Sequence, residues 1–298
     1  MVRARALAKI NLTLRVVGVR ADGYHELRTT FQSVALHDTL TCRARPGDFQ
    51  IVCDDPACPA NEANLVWRAA ERVWDAAGRR GAPRDAEVHL AKRIPMQAGL
   101  GGGSSDAAAA VRVLAAVWGA DLTADRGREI ALALGADVPF FLHGGTARGV
   151  GRGDVVSPLI DAPPSWVTLV VPGFGVSTKD AFAWWDATSS GRSAAGDDAR
   201  VSGVPDLEGN DEGNDAGNDL QDAVAAHHPE IAQLVTALRI RGATHAAMSG
   251  SGSAVFGLFA RRADASAAAG ALAARGRRVI VTRTVYRAQY GTLTRLAV

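Results

Sequence analysis

The stretch that decides the fold is Pro95-Met96-Gln97-Ala98-Gly99-Leu100-Gly101-Gly102-Gly103-Ser104-Ser105-Asp106-Ala107-Ala108. Before it, residues 88–94 follow the two-residue period of a β-strand, and after it an alanine-rich segment to about Trp118 favours a helix. The glycines therefore lie at a turn from strand to helix, where positive φ lets backbone N–H groups approach a ligand. Because a helix N-terminus also carries partial positive charge, we predict that this glycine loop (residues 95–105) binds phosphate groups.

The glycine loop is also compatible with two roles that do not involve a nucleoside triphosphate. The glycines could form only a loose turn, with Ser104 and Ser105 capping the helix. The sequence has neither the Lys-Ser/Thr ending of the classical P-loop nor the protein-kinase motifs, so the loop matches neither of these two phosphate-binding patterns. A dinucleotide-binding fingerprint starting at Gly99 would place Ser104 where its third glycine belongs, with Asp121 or Asp125 near the position of the ribose-binding acid.

Composition limits the class of protein. The 298 residues, 47% of them hydrophobic, can form one large or two ordinary domains. The formal net charge of +2 gives no indication of nucleic-acid or membrane binding. The three cysteines lack the paired spacing of a zinc site. Polar residues such as Lys9 and Asn11 interrupt the apolar stretch near the start that a signal peptide or a membrane span would need. We therefore expect a cytoplasmic globular protein with reduced thiols.

Polar residues at three places could serve structure or chemistry. Residues 4–17 alternate as a strand, which places Lys9 and Asn11 on one face. Asn64 precedes a helical pattern and is a good N-cap, and Asp137 before Val138 fits the same role. From the pattern alone, an ordinary solvated face and helix capping explain these residues as well as catalysis does.

Several motifs together resemble one superfamily of small-molecule kinases, that of galactokinase, homoserine kinase, mevalonate kinase and phosphomevalonate kinase. The glycine loop resembles its phosphate loop, and residues 248–256, Met-Ser-Gly-Ser-Gly-Ser-Ala-Val-Phe, resemble its third motif. Within it, residues 8–12, 22–27 and 135–141 resemble the members that phosphorylate 4-diphosphocytidyl-2-C-methyl-D-erythritol. The likeness extends from residue 8 to about residue 259.

The resemblance agrees with the α+β architecture that the predicted elements suggest. It implies a two-lobed fold, with an N-terminal nucleotide-binding domain over residues 1–157, a C-terminal domain over 158–298 and a cleft between them. It implies an ATP-dependent kinase that uses Mg²⁺ and transfers the γ-phosphoryl group to the 2-hydroxyl of its cytidine diphosphate substrate. That reaction belongs to non-mevalonate isoprenoid precursor biosynthesis, the methylerythritol phosphate pathway, and involves neither nucleic acid nor membrane.

The resemblance also assigns roles to residues. Asp137 is expected to accept the hydroxyl proton, while Lys9 stabilises the carboxylate and the developing alkoxide. The expected ATP-binding residues are Asn64, Lys92, Pro95, Met96, Gln97, Ala98, Gly99, Leu100, Gly101, Gly102, Gly103, Ser104 and Ser105. The expected substrate-binding residues are Asn11, Tyr24, His25, Thr178 and Phe182, with Tyr24 and Phe182 on either side of the cytosine. No carboxylate is identified as a metal ligand, and Ser105 is the candidate for Mg²⁺.

A Ser-, Gly-, Asp- and Asn-rich segment over about 188–219 is predicted to be a mobile surface loop. It lacks the terminal glutamate of a calcium-binding loop, so we expect no metal there. Two alternatives to the main prediction stay open, a homoserine kinase-like enzyme of the same superfamily and a non-catalytic nucleotide-binding relative.

Overall fold

The computed structural model describes residues 1–189 and 217–297. Its strands are β1 (Val2–Val19), β2 (His25–Asp48), β3 (Gln50–Cys53), β4 (Arg84–Ala91), β5 (Thr146–Gly151), β6 (Val155–Pro158), β7 (Trp166–Val171), β8 (Gly217–Asn218), β9 (His245–Met248), β10 (Val255–Phe259) and β11 (Arg278–Arg283). Its helices are α1 (Leu65–Ala76), α2 (Gly102–Trp118), α3 (Ala124–Leu134), α4 (Phe140–His143), α5 (Thr178–Ser189), α6 (Leu220–His227), α7 (Glu230–Ile240), α8 (Arg262–Leu272) and α9 (Arg287–Leu293). Most of the predicted mobile loop lies outside the described residues.

A long antiparallel hairpin of β1 and β2 organises the first sheet. Seven strands of the described ranges form this sheet in the order β3-β4-β2-β1-β8, with β5 on β2 and β6 on β5. The hairpin turns at Asp22-Gly23, where Gly23 has a φ of +81°. Because β2 has 24 residues, it pairs with β5 near its start and with β4 near its end. β1, which carries Lys9, lies between β2 and the short strand β8.

Helix α2 covers one face of this sheet, and α1 and α3 pack beside α2. Alanines 107–110 of α2 are buried, and their small side chains let the helix pack closely on the strands. The helix begins after Gly101 and ends at Gly119, which has the left-handed conformation usual at a helix C-terminus. The alanine-rich segment to Trp118 thus forms the predicted helix.

The second sheet has the order β11-β7-β10-β9 and is antiparallel throughout. One face packs against α6, α7 and α8 through a core that includes Val170, Val255 and Leu234. The other face packs against the first lobe, where Ile10 of β1 shares an apolar cluster with Phe256 of β10. The two lobes are therefore joined by buried apolar contacts, and the cleft between them forms where these contacts end.

The architecture is the predicted two-lobed α+β fold. The first sheet ends with β6 and the second begins with β7, although β8 returns to pair with β1 and Arg3 forms a bridge with Ala297. The boundary at residue 157 stays a prediction. Along the described ranges, none of the helices combines the length and the apolar content that crossing a bilayer requires.

The structure contradicts helix capping by Ser104, Ser105 and Asp137 and confirms it for Asn64. Neither Ser104 nor Ser105 caps α2, because the cap position falls on Gly101 and both serines lie in the first turn. Asp137 does not cap α4, because that helix has Pro139 at its cap position and no side-chain cap bond. Asn64 does cap α1, where its side-chain oxygen accepts from the Val66 N–H at 2.9 Å.

Candidate active site

One cavity of about 680 Å³ lies between the two lobes. Its walls come from β1, the glycine loop, the starts of α1 and α5, the turn before α4 and the turn between β9 and β10. The predicted site residues that line it are Lys9, Asn11, Asn64, Lys92, Pro95, Met96, Gln97, Ala98, Gly99, Leu100, Gly101, Gly102, Gly103, Ser104, Asp137, Thr178 and Phe182. Residues widely separated in the sequence are thus brought to one cavity.

Glycine is required at two positions of the glycine loop. Gly99 has a φ of +72°, and a Cβ atom there would lie 1.9 Å from the carbonyl oxygen of Ser249. Gly101 has a φ of +68°, and its Cβ would lie 2.8 Å from Cζ of Phe141 and 3.0 Å from Cγ of Lys9. The loop therefore packs against backbone and side chains that leave no room for a larger residue.

Hydrogen bonds hold the glycine loop between β1 and the β9–β10 turn (residues 249–254). The Lys9 N–H donates to the Leu100 carbonyl at 3.0 Å, and the Ala254 N–H donates to the Ala98 carbonyl at 3.1 Å. The hydroxyl of Ser249 donates to the Gly99 carbonyl at 2.9 Å. These bonds fix the loop so that the first residues of α2 line the cavity, which is the arrangement that binds phosphate at a helix N-terminus.

Replacing Gly99 with Ala is expected to destabilise the protein far more than replacing Gly119 with Ala. Both glycines have positive φ, but a Cβ at Gly119 meets nothing within 4 Å. We expect a loss of about 1–2 kcal/mol for Gly119→Ala from backbone strain and of about 2–5 kcal/mol for Gly99→Ala, where overpacking adds to it. Urea denaturation measures both. Equal losses would contradict the close packing of the loop.

Lys9 and Asp137 form the charged centre of the cavity. Nζ of Lys9 donates to Oδ1 of Asn11 at 2.6 Å and lies 3.4 Å from Oδ2 of Asp137. The Lys9 side chain is 4% exposed and that of Asp137 is 34% exposed. As the strand period predicted, Lys9 and Asn11 lie on one face of β1. The carboxylate of Asp137, which does not cap α4, reaches the cavity beside a buried ammonium.

At the end of the cavity near α1, Lys92 joins two buried aspartates. Its Nζ donates to Oδ2 of Asp38 at 2.5 Å and to Oδ2 of Asp106 at 2.7 Å. Burial alone lowers the pKa of Lys92, but the carboxylates of Asp106 and Asp38 outweigh it and raise that pKa. Burial also raises the pKa of Asp106 well above its usual value, against the influence of Lys92. Lys92 therefore stays charged and anchors this end of the cavity.

Asp38 and Asp106 were missed by sequence reasoning. Asp106 directly follows the two serines of the glycine loop, a position that could have drawn attention to it. Asp38 lies within the long strand β2, and no local signal marks it. Its Oδ1 accepts from the backbone N–H groups of Arg93 and Ile94, so it also fixes the chain just before the loop.

Ser105 differs from the other residues of the glycine loop, all of which line the cavity. Its hydroxyl donates to the Leu7 carbonyl at 2.7 Å, its N–H donates to the Gly101 carbonyl at 2.9 Å, and it is buried. Both donors are thus used within the protein, and Ser105 is not among the residues that line the cavity. Ser105 ties α2 to β1, and its roles in ATP and Mg²⁺ binding stay predictions that this placement does not support.

Of the predicted substrate residues, Thr178 and Phe182 belong to α5 and His25 contacts this helix. The His25 ring stacks on Phe182 with centroids 4.5 Å apart, and its Nε2 lies 2.8 Å from Oδ1 of Asp186. Tyr24 is 56% exposed, with the guanidinium of Arg152 5.2 Å above its ring. His25, not Tyr24, is therefore the ring that Phe182 contacts. The predicted placement of Tyr24 and Phe182 on either side of the cytosine stays a prediction.

Fold and site together define a class, a two-lobed small-molecule kinase with a glycine loop and a Lys–Asp pair in one cavity. Two family models match the chain, "GHMP kinases N terminal domain" over residues 64–145 and "GHMP kinases C terminal" over residues 205–278. A 4-diphosphocytidyl-2-C-methyl-D-erythritol kinase of Pelotomaculum thermopropionicum is 39% identical over 95% of this chain and 98% of its own length. The chain belongs to the 4-diphosphocytidyl-2-C-methyl-D-erythritol kinase family, and it is accordingly an ATP-dependent kinase.

Solved structures agree with this membership. A crystal structure of a 4-(cytidine 5'-diphospho)-2C-methyl-D-erythritol kinase matches with a TM-score of 0.74 and 35% identity, covering 95% of this chain and 98% of that one. A homoserine kinase from Cytophaga hutchinsonii matches with a TM-score of 0.64 and 18% identity, covering 99% and 97%. The second likeness shows a shared fold alone. Membership of this kinase family excludes the alternative in which the glycine loop is a dinucleotide-binding fingerprint.

Proposed function

We propose that this chain transfers the γ-phosphoryl group of ATP to the 2-hydroxyl of 4-diphosphocytidyl-2-C-methyl-D-erythritol, as a cytoplasmic enzyme of non-mevalonate isoprenoid precursor biosynthesis. The observation that carries the chemistry is the Lys9–Asp137 pair, 3.4 Å apart in the cavity that the glycine loop lines. The names of the relatives supply the substrate.

The glycine loop is proposed to hold the triphosphate. Backbone N–H groups at the start of α2 can donate to phosphate oxygens, and the partial positive charge of the helix N-terminus favours them. Asn64 and Lys92 line the cavity at the end where the adenosine would bind. This arrangement directs the γ-phosphoryl group toward Lys9.

Asp137 is proposed to take the proton from the substrate hydroxyl as that oxygen attacks phosphorus. Its carboxylate does not serve as a helix cap and is partly exposed to the cavity, so it can accept a proton. Lys9 is held by Asn11 and presents a buried positive charge to the developing alkoxide and phosphoryl oxygens. A preorganised charge in a site with little water contributes more to catalysis than the same charge in solution.

The cytidine end is proposed to lie against α5. Phe182 and Thr178 line the cavity there, and His25 and Tyr24 lie at the adjacent hairpin end. An aromatic ring offers a base a stacking surface, and an imidazole offers one donor and one acceptor. The four residues together suit a pyrimidine with polar edges.

Mg²⁺ is proposed to accompany ATP, and the donor chemistry of the cavity fits it. Asp106 lines the cavity, and its Oδ1 is buried with no hydrogen-bond partner among the described residues. Magnesium is usually held by one or two carboxylates together with phosphate oxygens and water. Asp106 would be the protein ligand, and the ion would neutralise charge on the phosphates. In the described ranges, no group of three or more His, Cys, Asp or Glu side chains forms a separate metal site.

The substrate is tested by an assay of ADP release with a panel of acceptors. The proposal expects turnover with 4-diphosphocytidyl-2-C-methyl-D-erythritol and rates near background with homoserine and mevalonate. Turnover with homoserine at a comparable rate would favour the homoserine kinase-like alternative. ATP binding without turnover on any acceptor would favour the non-catalytic alternative.

Replacing His25 with Ala is expected to raise KM for the cytidine substrate and leave KM for ATP nearly unchanged. Loss of a buried polar partner costs roughly 1–3 kcal/mol, which corresponds to a roughly five- to 150-fold weaker interaction. His37→Ala is the control, because it removes another histidine of β2 whose side chain is not among those that line this cavity. Equal increases in KM for both ligands would overturn the role of His25.

A further inference from the structure

A chain of hydrogen bonds leads from Lys9 through Asn11 to Thr29 along the wall of the cavity. Nζ of Lys9 donates to Oδ1 of Asn11 at 2.6 Å, and Nδ2 of Asn11 donates to Oγ1 of Thr29 at 2.7 Å. The hydroxyl of Thr29 in turn donates to the Thr13 carbonyl at 2.6 Å. Lys9, Asn11 and Thr29 are each no more than 3% exposed. The chain is therefore short, buried and continuous.

A bulge in β1 makes the last step of this chain possible. Asn11 pairs with Phe31 and Thr13 pairs with Thr30, so Leu12 is the extra residue between them. A bulge turns the neighbouring side chains and carbonyls away from the regular pleat. The carbonyl of Thr13 and the amide of Asn11 consequently both reach the hydroxyl of Thr29.

Each link of the chain permits only one orientation. A carbonyl can only accept, so the Thr13 carbonyl takes the single proton of the Thr29 hydroxyl. The oxygen of Thr29 can then only accept, which directs the NH₂ group of Asn11 toward it. The oxygen of Asn11 is left facing Lys9, whose ammonium can only donate. The Thr29 hydroxyl thus determines which end of the Asn11 amide meets the lysine.

We propose that Thr29 is a positioning residue for phosphoryl transfer, acting through Asn11 to hold the Lys9 ammonium beside Asp137. This inference rests on the proposed function, which supplies the identity of the phosphoryl acceptor. Without the hydroxyl, the Asn11 amide can rotate and present its NH₂ group to the ammonium, which would displace Lys9. Thr29 also lines the cavity, so a direct substrate contact is the competing hypothesis.

Kinetics separate positioning from direct contact. Thr29→Val keeps the branched shape but removes the hydroxyl, and we expect kcat to fall roughly five- to 150-fold, the range for leaving a buried polar group unpaired. KM for both substrates should stay within about twofold, because an effect confined to the transition state leaves ground-state binding intact. Thr29→Ser should restore most of the activity. Thr30→Val makes the same change at the next position, whose side chain points to the opposite face of β2, and should keep parental kcat.

A double-mutant cycle tests whether Thr29 acts through Asn11. In an Asn11→Ala background, Thr29→Val should change kcat less than about twofold, because the link between the two residues is already lost. An undiminished effect in that background would overturn the proposal. A rise in KM for the cytidine substrate with unchanged kcat would also overturn it, in favour of direct contact.

A spectroscopic measurement tests the proposal without relying on the acceptor. The chain has only three lysines, Lys9, Lys92 and Lys179, so ¹⁵N-lysine labelling yields three ammonium signals, which Lys→Arg variants assign. Thr29→Val, or Thr29→Ala if the valine variant does not fold, should shift or broaden the Lys9 signal and leave that of Lys179 unchanged. An unaltered Lys9 signal would contradict the proposal even if the acceptor assignment were wrong. A shifted Lys9 signal together with no turnover on the cytidine substrate would refute the proposed acceptor substrate but would still support the positioning role of Thr29.

Discussion

Replacing Lys9 with Met is expected to lower kcat by about 10² to 10³, the effect of removing one preorganised group that stabilises transition-state charge. Lys9 is buried, and its ammonium is the cation placed between Asn11 and Asp137. Methionine has a similar length but no charge, so the packing against Gly101 is kept. Single-turnover phosphoryl transfer at saturating ATP measures the change.

Lys179→Met is the matched control for this variant. Lys179 is exposed near the start of α5, and its replacement should leave kcat unchanged. Lys9→Arg is a second comparison. It keeps the positive charge, but on a planar guanidinium group that needs more room than the glycine loop leaves. Full activity of Lys9→Met would mean that the ammonium only balances the charge of Asp137.

Replacing Asp137 with Asn is expected to lower kcat by about 10² to 10⁴, the contribution of a general base. Asparagine has nearly the same shape but cannot accept the proton of the substrate hydroxyl. Since Asp137 makes no cap bond at α4, the Asn and Ala variants should have similar stabilities. The measurement pairs single-turnover transfer with thermal melting and a titration of ATP binding.

The outcome for the two Asp137 variants distinguishes chemistry from structure. If Asn and Ala lose activity alike and melt alike, the carboxylate acts in the reaction. If the Ala variant alone is destabilised by about 1 kcal/mol, the usual value of a cap, then Asp137 has a capping role that the geometry of α4 does not indicate. Turnover of Asp137→Asn within about tenfold of the parent would refute the role of general base.

Local patterns were sufficient for much of the fold and part of the site. The strand period of residues 4–17 predicted that Lys9 and Asn11 share a face, and the alanine run predicted α2 to Trp118. Asn64 was predicted as a cap because its effect is confined to the next helical turn. The motifs that resemble the kinase superfamily lie in the glycine loop and in the β9–β10 turn, and the structure brings these two segments into contact.

The rest depends on contacts between distant segments, which no local pattern reports. Ser105 was predicted as a ligand, yet the carbonyl of Leu7, 98 positions away, takes its hydroxyl proton. Asp38 meets Lys92 across 54 positions and Thr29 meets Asn11 across 18, through strand pairing and a bulge. Asp137 was predicted as a cap because the helix start was expected two residues too early. Tertiary packing decided each of these cases.

The most direct test of the proposed reaction is ³¹P NMR of the product made from ATP and 4-diphosphocytidyl-2-C-methyl-D-erythritol by the purified protein. Carbon 2 of the substrate carries a methyl group and no proton, whereas its other free hydroxyls are on carbons that carry protons. Transfer to the 2-hydroxyl predicts one new phosphomonoester signal without coupling to a carbinol proton, absent from the reaction of Asp137→Asn on the same timescale. A coupled phosphomonoester signal, or ADP formation with inorganic phosphate as its only partner, would contradict it.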